Sequence, residues 1–232
     1  MVLVLAAMVA GSVFAEEAEQ PKKDERSAFR HSVGVGGFIG GDFGGGFEGT
    51  GKYYGASYSR EVKMPYFGGG GFVFFDSTYT ELVFGLYGGG GTAEVTEGSI
   101  SSEYDMSYMN FNIGLLGKFP FTINQKLSIF PLLGIELDVV LSAEADGKEY
   151  KGKSNASGTE DLSTFWFKFG AGLDYSFAER IFLRFEALYG FRVANKAETD
   201  MEKTWDKSYY DADTEKLLGH GLTVKIGVGY KY

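Results

Sequence analysis

Ten charged residues fall where strict alternation puts them on one face of successive extended segments. Glu81, Glu136, Asp138, Asp174 and Glu186 stand against Lys118, Lys168, Arg184, Arg192 and Lys225, so the set is balanced. Glu136 and Asp138 share a strand face, and a carboxylate pair so spaced suits acid–base work or the binding of a cation. The simpler chemistry is a network of ion pairs filling a narrow interior, because a buried charge is tolerated only when it is paired. The chain has no cysteine, which excludes disulfides, thiolate catalysis and Cys-ligated metals. Its two histidines, His31 and His220, belong to no Ser-His-Asp spacing, so no catalytic set, metal site or cofactor is expected. The glycine runs 68–71 and 88–91 lack the spacing of a phosphate loop, and no helical pattern follows them.

The elements that must position these charges are read most clearly at 164–193. Phe165, Phe167, Phe169, Ala171, Leu173, Tyr175 and Phe177 alternate with Trp166, Lys168, Gly170, Gly172, Asp174 and Ser176. After Ala178-Glu179-Arg180 the pattern resumes. Ile181, Leu183, Phe185, Ala187, Tyr189 and Phe191 take one face, and Phe182, Arg184, Glu186, Leu188, Gly190 and Arg192 the other. Period two across a short polar break is a hairpin. If the turn spans three residues, Asp174 faces Arg184 directly. One face is wholly apolar, and the other mixes charge with glycine. A strand crossing a bilayer needs about 9–11 tilted residues, apolar outward and polar inward, and a small barrel has little room inside.

Six further segments alternate in the same way. They are 31–39, 66–75, 79–88, 104–119, 126–141 and 220–232. The four glycines in 66–75 leave its lipid and lumen faces open, since a slip of one residue exchanges them. Pro131 removes a ladder donor inside its segment, and a bulge is expected there. Long connections at about 42–63, 89–103, 142–163 and 194–219 follow the first, third, fifth and seventh segments, and short turns follow the others. That rhythm fits a closed, eight-stranded antiparallel transmembrane β-barrel, all-β, with extracellular loops and both termini in the periplasm. Tyr87, Tyr108, Val140 and Trp166 are candidates for an upper inner rim.

Residues 1–15 are an apolar stretch ending in Val13-Phe14-Ala15 and read as a signal peptide, although no basic start precedes it. Residues 16–30 read as a polar periplasmic tail, and 31–232 as the barrel. A net charge of −9 argues against nucleic acid as a partner. The loops carry Tyr53, Tyr54, Tyr58, Trp205, Tyr209 and Tyr210 among acidic residues, a composition suited either to contact with a host or surface ligand or to a plain solvated surface.

With these segments, the loop rhythm and the ending Gly-Tyr230-Lys-Tyr232, the chain resembles the small outer-membrane barrels of the OmpA transmembrane domain, OmpX and OmpW group. The resemblance implies an outer-membrane location and a C-terminal assembly signal at Tyr230 and Tyr232, read by the barrel-assembly machinery. Outer-membrane lipids are then the surroundings of what is expected to be a monomer. It implies a structural or surface-interaction role, or a narrow channel for small, OmpW-like apolar solutes, which the charged interior departs from. Arg30-His31-Ser32 also resembles, in its His and Ser alone, the lipid-modifying outer-membrane hydrolases. That triplet falls at the periplasmic end, away from the outer leaflet, and the expectation is that the protein is not an enzyme.

Overall fold

The computed structural model describes residues 31–54, 56–149, 163–195 and 210–232. The readings at 1–30, and Trp205 and Tyr209 in the last long loop, lie outside the described residues. In chain order the strands are β1 (Ser32–Asp42), β2 (Gly46–Tyr53), β3 (Ala56–Lys63), β4 (Tyr66–Asp76), β5 (Thr80–Glu97), β6 (Ile100–Lys118) and β7 (Phe121–Thr122). They continue with β8 (Leu127–Ala145), β9 (Lys148–Glu149), β10 (Thr164–Ser176), β11 (Ile181–Asn195), β12 (Tyr210–Leu217) and β13 (His220–Lys231).

Eight of these strands close a ring. The order is β1, β4, β5, β6, β8, β10, β11, β13 and back to β1, and every pairing is antiparallel. The last strand closes on the first, Ser32 standing opposite Lys231 on one side and Asp76 on the other. Closure leaves no spanning edge with unpaired amides, which hydrocarbon would penalise by several kcal/mol per group.

The ambiguous segment 66–75 resolves with Phe72, Phe74 and Asp76 buried and Phe67, Val73 and Phe75 outward. The glycines opposite explain how such rings fit in a narrow lumen. Gly34 is the direct partner of Phe74, Gly36 of Phe72, Gly172 of Phe130 and Gly229 of Phe182. A Cβ on Gly34 would stand 2.3 Å from the Phe74 ring, and one on Gly172 2.3 Å from Phe130. Each inward ring lies across a strand position that has no side chain.

Pro131 makes no bulge. Its register runs unbroken against Ala171 on β10. Its carbonyl accepts from Phe119 N at 3.3 Å, so its nitrogen points the same way, toward the gap between the end of β6 and the start of β7. The neighbouring strand is interrupted at Pro120, so no ladder bond is lost. The register shifts fall higher, between Met109 and Asn110 beside Leu141, and between Phe165 and Trp166 beside Val193.

Above the wall, two segments read as long loops carry strand. Residues 89–103 are the upper part of a β5–β6 hairpin, paired to Glu97 and Ile100 and turned at Gly98 with φ +61°. Residues 42–63 fold into the β2–β3 hairpin, which adds to the top of β5 through Arg60 to Lys63, and β12 adds to β2. Together they form a sheet that extends part of the barrel wall upward as a collar.

Candidate functional site in the barrel interior

Alternation alone decides which side chains meet inside, because every second residue of the eight ring strands points to the lumen. All ten charged residues singled out above are there. Glu81 and Arg184 are fully buried, and Lys118, Glu136, Asp138, Lys168, Asp174, Glu186 and Lys225 are each at most 9 % exposed. The Arg192 side chain is 7 % exposed.

The lowest layer centres on Arg184. Its Nε and Nη2 donate to the two oxygens of Asp174, each at 2.7 Å, the bidentate arrangement that a guanidinium makes with a directly opposite carboxylate. Nη1 donates to Glu81 at 2.6 Å and Nη2 also to Asp76 at 2.7 Å. Lys118 joins the layer by donating to Asp76 at 2.6 Å, with Asp174 at 3.6 Å. Three rings, Phe74, Phe130 and Phe182, stand 4.4 to 5.2 Å from the guanidinium carbon. Such a cluster of charge in an apolar shell is held by its completeness: removing any one partner strands the others in low dielectric.

Asp76 was not among the residues the sequence singled out, since it reads as the first residue of a turn. The signal that finds it is the face of β4, since Phe72, Phe74 and Asp76 lie two apart and point inward together.

The middle layer pairs Lys168 with Glu136 and brings Lys225 to 3.9 Å from Glu186. Leu116, Phe130, Leu132 and Leu188 pack beside it as an apolar cluster. Above this, Asp138 Oδ2 accepts from Trp166 Nε1 at 2.9 Å and from the Tyr87 hydroxyl at 3.0 Å, and Asn110 Nδ2 donates to that hydroxyl at 2.8 Å. Of the rim candidates, Tyr87 packs on Phe38 and Tyr66, Tyr66 packs on Tyr108, and Val140 is buried on β8 opposite Asn110. Phe38 and Tyr66, which alternation alone does not single out, belong to the same aromatic set. Arg192 lies higher, at the end that carries the collar, donating to Asp42 at 2.9 Å and to the Gly44 carbonyl at 3.3 Å. Glu136 and Asp138, the candidate acid–base pair, are thus each committed to donors of their own.

The outer surface is the inverse of this interior. Ile39, Leu86, Leu115, Leu133, Phe169, Phe185 and Ile226 are exposed, as are Val35, Leu137 and Val224. At the lower end Phe75, Tyr79, Phe119, Phe121, Tyr175, Phe177, Tyr230 and Tyr232 form an exposed aromatic belt. Charge inside, hydrocarbon outside and a girdle of rings is the pattern of a single-chain barrel with an even number of strands in lipid. The chain has the form of an integral membrane β-barrel. Beyond the lipid, charge returns to the surface: a hydrogen bond to Glu61, 2.5 Å away, raises the Lys63 ammonium above the ordinary lysine range.

No protein-family model matches the chain, and no curated protein sequence does. Among solved structures it is similar to the outer membrane protein OprG of Pseudomonas aeruginosa, at 12 % identity over 88 % of this chain and 96 % of that one, with a TM-score of 0.46. It is similar to Ail, the attachment invasion locus protein of Yersinia pestis, at 14 % identity over 89 % and 100 %, with a TM-score of 0.37. Neisserial surface protein A is a third, at 8 % identity over 84 % and 97 %, with a TM-score of 0.43.

Proposed function

We propose that this barrel is a closed membrane scaffold that carries its collar and loops at the cell surface for contact with a host or surface ligand. The observation that supports the reading is the Arg184 layer. Its guanidinium is fully buried, contacts three carboxylates within hydrogen-bond distance and is boxed by three phenylalanine rings, leaving the lumen filled at that level. The collar supplies exposed aromatic surface, with Tyr54 91 % exposed and packed on Tyr53. Within this reading residues 1–15 act as an export signal and 16–30 as a periplasmic tail. Tyr230 and Tyr232 serve the assembly machinery, the barrel works as a monomer, and no reaction is assigned to it.

Planar-bilayer recording from the pure protein tests the closed interior. Silent bilayers are expected, and stable unitary steps from the wild type would overturn the reading. The second reading, a narrow passage for small apolar solutes, draws on the aromatic set of Phe38, Tyr66, Tyr87, Tyr108 and Trp166 at the upper lumen. It requires a way past the charged layers below, and uptake of such a solute into liposomes holding the protein would favour it.

A further inference from the structure

Once Asp76 is counted, the charges buried inside the wall do not balance. The carboxylates of Asp76, Glu81, Glu136, Asp138, Asp174 and Glu186 stand against the cations of Lys118, Lys168, Arg184 and Lys225. Asp42 and Arg192 pair with each other above them, and Lys231 lies half-buried at the lower mouth, donating to Ser176. The surplus is met unequally. Asp76 and Asp174 share Arg184 and Lys118, and Glu136 has Lys168. Asp138 accepts from Trp166 and Tyr87. Glu186 accepts no hydrogen bond on either oxygen, standing 3.8 Å from Arg184 Nε and 3.9 Å from Lys225 Nζ. Glu81 gives Oε2 to Arg184 and leaves Oε1 without a donor. The two side chains are within hydrogen-bonding reach of each other.

Two carboxylates in such contact cannot both stay charged in a low dielectric. The three orphaned oxygens are enclosed, so neither water nor a metal ion has room against them. A proton needs no room of its own. We infer that Glu81 and Glu186 bind one proton between them at neutral pH, as an O–H···O⁻ bond. The proton supplies the missing donor, and a bond of this charge-assisted kind is a strong one. It also brings the group to neutrality, because Asp76, Asp174 and the single charge left on the pair then match Lys118, Arg184 and Lys225. Those residues are the charges facing the pair from β4, β6, β10, β11 and β13. β8 adds Glu136, already engaged by Lys168, and β1 turns only Ser32, Gly34, Gly36 and Phe38 inward at these levels. The proton site lies in the sealed interior and is independent of what the collar contacts.

The test is infrared spectroscopy of the folded full-length barrel in detergent at neutral pH. A C=O band of a protonated carboxyl, shifted when the protein is refolded in D2O, is expected in the wild type. It should be lost in Glu81→Gln and in Glu186→Gln, since either change leaves the remaining carboxylate fully matched by cations. Stability gives a second readout. In the unfolded chain both glutamates are ionised above about pH 5, so only the folded state holds this proton. Its folding equilibrium constant should therefore fall about tenfold per pH unit between about pH 6 and 8, and each Gln variant should flatten that slope. Absence of the band from the wild type, its persistence in either variant, or a slope that neither variant changes would each overturn the inference.

Discussion

Phe182 on β11 lies against Gly229, its direct partner on β13, so closely that a Cβ on Gly229 would stand 2.2 Å from the ring. The same fit recurs at Phe74 over Gly34. Gly229→Ala should therefore lower stability by about 1–3 kcal/mol, the usual cost of overpacking a filled core. Phe182→Leu in the same chain should recover part of that loss. A double-mutant cycle by urea unfolding in lipid vesicles measures the coupling, and additive effects would show that the ring and the glycine do not share their space.

Arg184 carries more. Arg184→Met leaves Asp174, Glu81 and Asp76 without their shared cation and should cost about 3–5 kcal/mol. Arg184→Lys should recover little, because a single ammonium cannot reproduce the two-pronged contact with Asp174 while reaching Glu81. Lys63→Ala, on the collar where its ion pair with Glu61 is exposed, should leave the unfolding midpoint unchanged. Unfolding midpoints in one detergent compare all three.

Removal of Tyr230 to Tyr232 takes away the Tyr232 N–H bond to the His31 carbonyl, the stacking of their rings and the Ser32 to Lys231 pairing that closes the ring. The expected result is loss of the folded, heat-modifiable band on unheated gels. Lys168→Met strands the Glu136 carboxylate and should lower stability, while the folded band persists. Equal folded fractions for the truncated and full chains would contradict this account of closure.

Trp166→Ala and Tyr87→Ala widen the upper lumen only, so bilayers holding either variant should stay silent. Phe74→Ala removes one wall of the box around Arg184 and is the change expected to admit brief openings. If the upper variants conduct and Phe74→Ala does not, the constriction lies at the aromatic rim.

The sequence was most legible where both faces of a strand are marked by side chains. In β10 and β11 an apolar residue answers every inward charge or glycine, and the register of Asp174 against Arg184 follows. β4 offers four consecutive glycines and no such mark, so the burial of Phe72, Phe74 and Asp76 had to come from packing. The upper β5–β6 hairpin reads as loop because above the lipid Ile100, Ser101, Glu103, Tyr104 and Asp105 are all exposed, and alternation weakens along that arm. Pro131 could not be placed from its own segment, because the break that accommodates it belongs to the neighbouring strand at Pro120.

The partners of Arg184 also order events in time. Asp174 is 10 residues away and can be met within a single hairpin as soon as it forms. Glu81 and Asp76 are 103 and 108 residues away and can be reached only when distant parts of the chain come together. A contact at such separation waits on the slow closure of a large loop. The local pair can form early, and the remaining guanidinium positions are filled only once the early and late strands have met. The guanidinium thus acts as a latch: the assembling chain stays easily reversible until the circle is complete, and hard to reopen afterwards.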